Sequence, residues 1–190
     1  MSHVIVIQFI SLDGVTEDPD GRGGTAQGGW AFRYGPEAVA GDKFELGELL
    51  DTGTLLFGRR SWQNFSQIWP KRSDDFSMKM NAIAKLVVSH TDQDVDAWGN
   101  STIIRGDLVE EVTWRKLAQD LIVIGSTSVV RTLMDHDLVD EYRLVVFPTV
   151  LGTGARLFSG SGSAPINLQL TSAKTRGPAV LLKYTVDHAQ

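Results

Sequence analysis

Hydrophobic residues fall into short runs along the chain, separated by polar and glycine-containing segments. Runs of this length with little polar interruption are typical of strands buried on both faces of a sheet. They predict strands at residues 4–10, 54–57, 85–88, 102–104, 121–124 and 142–147, and two more strands are predicted at 168–174 and 180–186. Gly177 and Pro178 separate the last two runs, which predicts a short turn and an antiparallel C-terminal hairpin.

Apolar residues recur at helical spacing between several of these runs. The first such segment begins at Pro36, where the missing N–H costs nothing, and ends at Gly53. Its apolar positions are Phe44, Leu46, Leu49 and Leu50. Shorter helices are predicted near 62–65, 78–83, 107–119 and 129–134. Because strands alternate with helices and no linker or repeat interrupts them, we expect one α/β domain over 1–190 with a mostly parallel sheet.

The longest segment without apolar periodicity follows the first strand, from Asp13 to Gly29. It carries many of the 19 glycines of the chain. Long structureless segments are unusual inside a compact domain and are commonly lids or binding loops. We therefore expect this glycine-rich segment to serve a ligand.

The composition narrows the possible classes of function. The net charge is -5, from 18 Lys plus Arg against 23 Asp plus Glu, and no basic run occurs, so we expect no nucleic-acid partner. The sequence has no cysteine, which excludes disulfides and thiol chemistry, and its 4 histidines lack ligand spacing, so we expect no metal. No apolar run approaches a membrane span and no basic segment precedes the first run, which predicts a cytoplasmic protein without membrane contact.

Two predicted strand-to-helix turns combine glycine with hydroxyl or cationic residues. They are Gly58-Arg59-Arg60-Ser61 and Gly125-Ser126-Thr127-Ser128. Glycine lets a phosphate approach the backbone, and a helix start presents N–H groups and a favourable dipole to it. Two such turns, one with paired arginines, favour a dinucleotide ligand. The alternative is that the hydroxyls only cap a helix. Neither GxGxxG nor GxxxxGKS/T occurs, so the sequence indicates neither a Rossmann half nor an ATP-hydrolysing loop.

Other candidate residues each have a plainer structural alternative. Asp13 could act as an acid or a proton relay, or it could form only a turn with Gly14. Trp30, Phe32 and Tyr34 could stack on a planar ligand, or they could cover the core. Spacing alone leaves a Ser-His-Asp triad open, although the sequence has no GxSxG elbow.

The order and spacing of these motifs resemble the dihydrofolate reductase-like family that includes the C-terminal reductase domain of bacterial bifunctional riboflavin-biosynthesis deaminase-reductases. The matching segments are 11–14, 28–30, 56–62, 85–89, 125–126, 138–141 and 147–158, nearly the whole chain. The resemblance implies a three-layer α/β/α fold and a hydride transfer from NADPH to a small planar heterocycle of pterin or pyrimidine type. It also implies a homodimer. Because no deaminase domain is attached, we expect a stand-alone member.

The resemblance implies roles for individual residues. Asp13 takes the acidic, catalytic position near the substrate, and the implied substrate contacts are Gln8, Ser11, Asp13, Trp30 and Phe57. The implied cofactor contacts are Gly58, Arg59, Arg60, Ser61, Ser89, His90, Gly125, Ser126, Thr127, Ser128, Leu151 and Gly152.

The sequence departs from the family pattern at three positions. Ile124 stands where riboflavin-pathway reductases usually carry an acid, and Ser126 replaces a second glycine. His90 replaces an Arg often seen there, so the implied NADPH preference rests mainly on Arg59 as the ligand of the 2′-phosphate. Two functions therefore stay open: a reductase of unidentified substrate, and a non-catalytic nucleotide- or heterocycle-binding protein on the same fold. A hydrolase or transferase of phosphorylated substrates ranks below both.

Overall fold

The computed structural model describes residues 2–91, 94–158 and 165–188, which contain a mixed eight-stranded sheet of order β4-β3-β2-β5-β1-β6-β8-β7. The strands are β1 (Val4–Ser11), β2 (Thr54–Gly58), β3 (Ala84–Val88), β4 (Ser101–Ile104), β5 (Leu121–Val123), β6 (Glu141–Phe147), β7 (Leu168–Arg176) and β8 (Ala179–Val186). The helices are α1 (Pro36–Ala40), α2 (Leu49–Thr52), α3 (Arg59–Ser66), α4 (Asp75–Ala82), α5 (Leu108–Arg115) and α6 (Thr127–Asp135). Short 3₁₀ segments lie at Phe32–Tyr34, Gly41–Glu45 and Trp69–Lys71.

The chain divides into two compact units. The first comprises the residues up to Ile5 together with Leu46–Leu138, and the second comprises Val6–Glu45 together with the residues from Val139 onward. The single domain over 1–190 stays a prediction.

The first unit contains the parallel strands. β2 pairs with β3 on one side and with β5 on the other, and β3 pairs with β4. Every residue of β2 and β5 is buried, which explains why their sequences are apolar without alternation. Lys85 is the exception to this pattern in β3, because it is buried although it is charged. Its Nζ donates to the carbonyl oxygens of Asn81 (2.9 Å), Ile83 (2.7 Å) and Gly99 (3.1 Å).

The second unit contains the antiparallel strands. β8 pairs antiparallel with β6 and with β7, and a register shift interrupts the β7–β8 pairing between Leu170 and Ser172. One face of these strands carries an apolar cluster that includes Trp30, Phe147 and Leu181. The α/β class, the mostly parallel sheet and the antiparallel C-terminal hairpin predicted from the sequence are thereby confirmed.

The continuous helix predicted from Pro36 to Gly53 is wrong. This segment contains α1, the 3₁₀ segment Gly41–Glu45 and α2. The φ angles of Lys43, Phe44 and Glu45 are 44°, 63° and 53°, in the left-handed region that ends a right-handed helix. Burial of apolar side chains on either side of this break produces a spacing that resembles one helix.

No helix in the described ranges is both long enough and apolar enough to cross a membrane. Among the same residues, no group of three or more His, Asp or Glu side chains is placed to hold a metal ion.

Candidate functional site

The two glycine-containing turns of the first unit lie directly against each other. The Gly58 N–H donates to the Gly125 carbonyl oxygen at 3.0 Å. A Cβ atom added to Gly58 would lie 3.0 Å from the Ser126 Cβ and 3.1 Å from the Ser126 nitrogen, closer than most real Cβ contacts. Glycine at position 58 therefore permits the start of α3 to approach the start of α6.

A small residue precedes each of these two helices. Gly58 precedes α3, and Ser126, which follows a cis peptide bond to Gly125, precedes α6. In the described part of the chain, neither N-cap residue makes a side-chain capping bond. The Ser126 hydroxyl lies 2.8 Å from the Ser128 hydroxyl, so these two side chains bond to each other. This arrangement argues against the capping alternative for Ser126. The first N–H groups of a helix can also bind an anion.

Arg59 lies beside the carboxyl end of β3. Its Nη1 donates to the Thr91 Oγ1 at 3.1 Å. The Ser89 hydroxyl donates to the Thr91 carbonyl oxygen at 2.8 Å, so Arg59, Ser89 and Thr91 form one polar group. Arg59, Arg60 and His90 are exposed. The first unit thus brings the predicted residues of three strand ends together around α3.

Asp13 has a separate network in the second unit. Its carboxylate accepts bonds from the Ser11 hydroxyl (2.7 Å), the Leu151 N–H (3.1 Å) and the Gly152 N–H (2.8 Å). The Arg156 side chain donates from Nε to the Asp13 carbonyl oxygen at 2.9 Å and from Nη2 to the carboxylate at 3.4 Å. Asp13 therefore ties the turn after β1 to the segment after β6.

These bonds stabilise the ionised form of Asp13. The Ser11 hydroxyl and the Leu151 N–H, together with the Gly152 N–H, hold the pKa of the Asp13 carboxyl well below its ordinary value. The contacts agree with the turn-forming alternative for Asp13. Its catalytic role stays a prediction.

The predicted substrate contacts of the second unit are mostly buried. Trp30 is 1% exposed and its Nε1 donates to the Glu17 carbonyl oxygen at 2.8 Å, so the core-covering alternative describes it better than stacking on a ligand. Gln8 and Ser11 are also buried, and the Ser11 hydroxyl is occupied by Asp13 and the Val15 N–H. In the first unit, Phe57 is 0% exposed, so its ring presents no surface to a ligand as packed.

A cluster of phenylalanine rings with one exposed member lies in the second unit. The Phe9 ring centroid is 6.4 Å from that of Phe32, 5.5 Å from that of Phe44 and 5.1 Å from that of Phe147. Phe32 is 53% exposed, whereas Phe9 and Phe44 are half-buried. We call Phe9, Phe32 and Phe44 the aromatic face. Phe9 and Phe44 pack against the apolar cluster that includes Phe147, and Phe32 exposes a ring that a flat ligand could contact.

A cavity of about 130 Å³ lies in the same unit, near the glycine-rich segment. Its walls are formed by Val15, Glu17, Thr25, Ala26, Gln27, Trp30, Leu151, Thr153 and Gly154. Its volume is well below the roughly 300 Å³ at which pockets for drug-sized ligands begin, so it can take only a small group.

The family model described as the RibD C-terminal domain matches residues 2–182 of the chain. The chain belongs to the RibD C-terminal domain family. The chain is similar to the uncharacterized protein YyaP of Bacillus subtilis strain 168. The two sequences are 31% identical over 135 residues, which cover 67% of this chain and 70% of YyaP. The expected family is therefore confirmed.

Solved structures show the same fold at low sequence identity. A putative riboflavin biosynthesis protein from Shewanella sp. PV-4 has a TM-score of 0.74 and 19% identity, covering 98% of this chain and 99% of that one. A pyrimidine reductase-like protein from Corynebacterium diphtheriae has a TM-score of 0.63 and 11% identity, covering 99% and 93%. RibD from Acinetobacter baumannii has a TM-score of 0.66 and 13% identity; 98% of this chain matches 58% of that chain.

Within this RibD C-terminal domain, the structure connects three residues without a predicted role to the predicted ones. They are Thr91, which binds Arg59, Arg156, which binds Asp13, and Phe44, which completes the aromatic face. Thr91 belongs to the polar segment Ser89-His90-Thr91 after a predicted strand, and Arg156 lies in the matching segment 147–158. Phe44 was predicted only as an apolar helix position, and its contact with Phe9 depends on the folded chain.

Proposed function

We propose that this protein is an NADPH-dependent reductase of the riboflavin-pathway type, which transfers a hydride to a planar nitrogen heterocycle. The observation that carries the proposal is the pair of helix starts, α3 and α6, which pack together at Gly58 and Ser126, with Arg59 at the first and a Ser126 side chain that makes no capping bond at the second. Two neighbouring positions that can bind anions would suit the pyrophosphate and the 2′-phosphate of NADPH. Membership of the RibD C-terminal domain family supports the same reading.

Different residues of the first unit would bind the pyrophosphate and the 2′-phosphate of NADPH. The α6 start, with Ser126 and Ser128, would receive the pyrophosphate. Arg59 would receive the 2′-phosphate, since guanidinium binds phosphate through a fork of donors and Thr91 holds its Nη1 on the β3 side. Ser89 keeps Thr91 in place through its bond to the Thr91 carbonyl oxygen.

When bound, NADPH supplies the hydride; the work of the protein is to bind, orient and shield the reactants. Asp13 contributes by holding the backbone of residues 151 and 152 as a charged acceptor. The aromatic face would receive the ring of the substrate, because flat heterocycles gain from offset or edge contacts with phenylalanine.

Replacing Arg59 with alanine tests the cofactor assignment. Loss of a charged hydrogen bond to the 2′-phosphate should raise the Kd for NADPH by roughly 10- to 100-fold and leave the Kd for NADH nearly unchanged. Both are measured by titration calorimetry. Arg72→Ala is the matched control, since it removes the same charge from a side chain that lies against the Trp69 ring. Equal weakening of NADPH and NADH binding in the Arg59 variant would contradict the assignment.

A second function is favoured by one observation. Ile124, at the end of β5, stands where the family resemblance leads us to expect an acid, and its N–H donates to the Leu56 carbonyl oxygen as ordinary backbone. A binding protein without turnover needs no such acid. Measuring NADPH oxidation with dihydrofolate and with a riboflavin-pathway aminopyrimidine separates the two functions. NADPH binding without oxidation in either assay supports the binding protein.

A further inference from the structure

A charged cluster in the second unit holds a left-handed turn. Lys43, Phe44 and Glu45 have φ angles of 44°, 63° and 53°. Single non-glycine residues adopt this conformation only occasionally, and successive ones are unfavourable for L-amino acids. Such a turn persists only where surrounding contacts over-determine it.

The Glu45 carboxylate supplies the first set of these contacts. It binds three cations of the C-terminal hairpin: Lys174 Nζ at 2.5 Å, Arg176 Nη2 at 3.3 Å, and Lys183. The Glu45 side chain is only 19% exposed. Hydrogen bonds from Lys174 and Lys183 lower its pKa to about 2, so it is fully charged at neutral pH.

Arg143 supplies the second set. Its Nη1 donates to the carbonyl oxygens of Phe44 (3.1 Å) and Glu45 (2.6 Å), and its Nε donates to the Glu141 carboxylate. Arg143 is 6% exposed, so these bonds form away from bulk water, where they are stronger. Cations of β7 and β8 thus bind the side chain of Glu45, and Arg143 of β6 binds the backbone of the same turn.

The turn determines where the Phe44 ring lies. Phe44 packs on Phe9 with a centroid distance of 5.5 Å, and Phe9 in turn contacts the exposed Phe32. A return of residues 43–45 to right-handed backbone would change the direction of the Phe44 side chain. The aromatic face therefore depends on contacts made on the other side of the turn.

We propose that Glu45 is a positioning residue, which fixes the turn at residues 43–45 and thereby holds the Phe44 ring in a surface that binds planar heterocycles. The heterocyclic ligand rests on the proposed function; the placement of Phe44 does not. Glu45 acts through the backbone of the turn.

The first arm of the test needs no ligand. Ring-to-ring NOEs between Phe44 and Phe9 are recorded by NMR on phenylalanine-labelled protein, for the wild type and for Glu45→Gln. The variant keeps the shape of the side chain and loses the charge that holds three cations. The Phe44–Phe9 NOE should disappear or weaken severalfold in Glu45→Gln and should be unchanged in Glu48→Gln, a control with an exposed side chain three residues along. Lys174→Gln, at a half-exposed position, replaces Glu45→Gln if that variant does not fold, and should weaken the NOE in the same direction.

The second arm measures binding to the intact protein by titration calorimetry, with folate and 6-aminouracil as the probes and NADPH as a reference ligand. Loss of a ring contact should raise the Kd for a probe by roughly 2- to 10-fold in Glu45→Gln and leave the Kd for NADPH within twofold of wild type. Glu45→Asp, which keeps the charge, should recover part of the affinity. A merely stabilising role would lower the melting temperature without this selectivity.

If Glu45→Gln folds and keeps the Phe44–Phe9 NOE unchanged, the positioning role is overturned, regardless of the Kd values for the probes. A lost NOE together with selective loss of probe affinity supports the whole inference. If wild-type protein binds NADPH but neither probe, the heterocycle part of the proposed function fails, and a lost NOE still supports the placement of Phe44 by Glu45.

Discussion

A single methyl group at position 58 should disturb both the stability of the first unit and its affinity for NADPH. Gly58 has φ -72° and ψ 154°, a conformation open to any residue, so only space requires glycine there. An added Cβ would lie 3.0 Å from the Ser126 Cβ and 3.1 Å from the Ser126 nitrogen, and these backbone-linked atoms would have to move. Overpacking of this kind costs roughly 1–3 kcal/mol, which is the expected loss in free energy of unfolding for Gly58→Ala.

The same displacement should also weaken the binding of NADPH. Moving Ser126 shifts the start of α6, and the loss of one hydrogen bond to a charged phosphate is worth about 1.5 kcal/mol, or roughly a tenfold rise in the Kd for NADPH. Urea unfolding measures the first effect and titration calorimetry the second. Gly106→Ala is the matched control, because its Cβ would meet no described atom within 4 Å. A Gly58→Ala protein with wild-type unfolding midpoint and wild-type NADPH affinity would refute this reasoning.

Three other perturbations have defined outcomes. The folded-state pKa of Glu45 is about 2, below its ordinary 4.5, so the charged Glu45 side chain stabilises the fold above pH 4.5 and this contribution is lost as pH falls toward 2. After allowance for screening, Glu45→Gln should lower the free energy of unfolding by about 1–2 kcal/mol at pH 7. Urea titrations should show the difference vanishing near pH 2. Burial lowers the pKa of Lys85 to about 8, so unfolding takes up a proton between pH 8 and 10.5 and wild-type stability should rise with pH there. Lys85→Met should abolish that slope and cost about 3 kcal/mol, since it leaves buried carbonyl oxygens without their donor. Asp13→Asn should speed hydrogen exchange at the Leu151 and Gly152 amides, and unchanged exchange would show that the carboxylate does not hold that segment.

The strands were predictable because their determinants are local. Continuous apolar runs such as Leu121–Val123 are buried on both faces, and a short turn at Gly177 joins the final pair. Lys85 lies in such a run without ending it, because three backbone carbonyl oxygens satisfy its ammonium group. Their positions depend on the folded chain, so the sequence offered no sign that this lysine is buried.

The helix predicted from Pro36 to Gly53 was wrong because of contacts between residues far apart in the sequence. Helical spacing continues through Glu45, yet the backbone turns left-handed there, held by Lys174 and Lys183 from the other end of the chain. Asp13 is a similar case. Its position after β1 was evident, whereas its bonds to the backbone of Leu151 and Gly152 depend on a segment more than a hundred residues away. The placement of Gly58 against Ser126 follows from the parallel pairing of β2 with β5. This placement was easier to predict, because both turns follow predicted strands.

The most direct test of the account is a crystal structure of the protein with NADPH. We expect the pyrophosphate at the start of α6, beside Ser126 and Ser128, and the 2′-phosphate within hydrogen-bond distance of Arg59 on its Thr91 side. Density for the nucleotide elsewhere on the molecule, or a bound 2′-phosphate that Arg59 does not contact, would contradict the account.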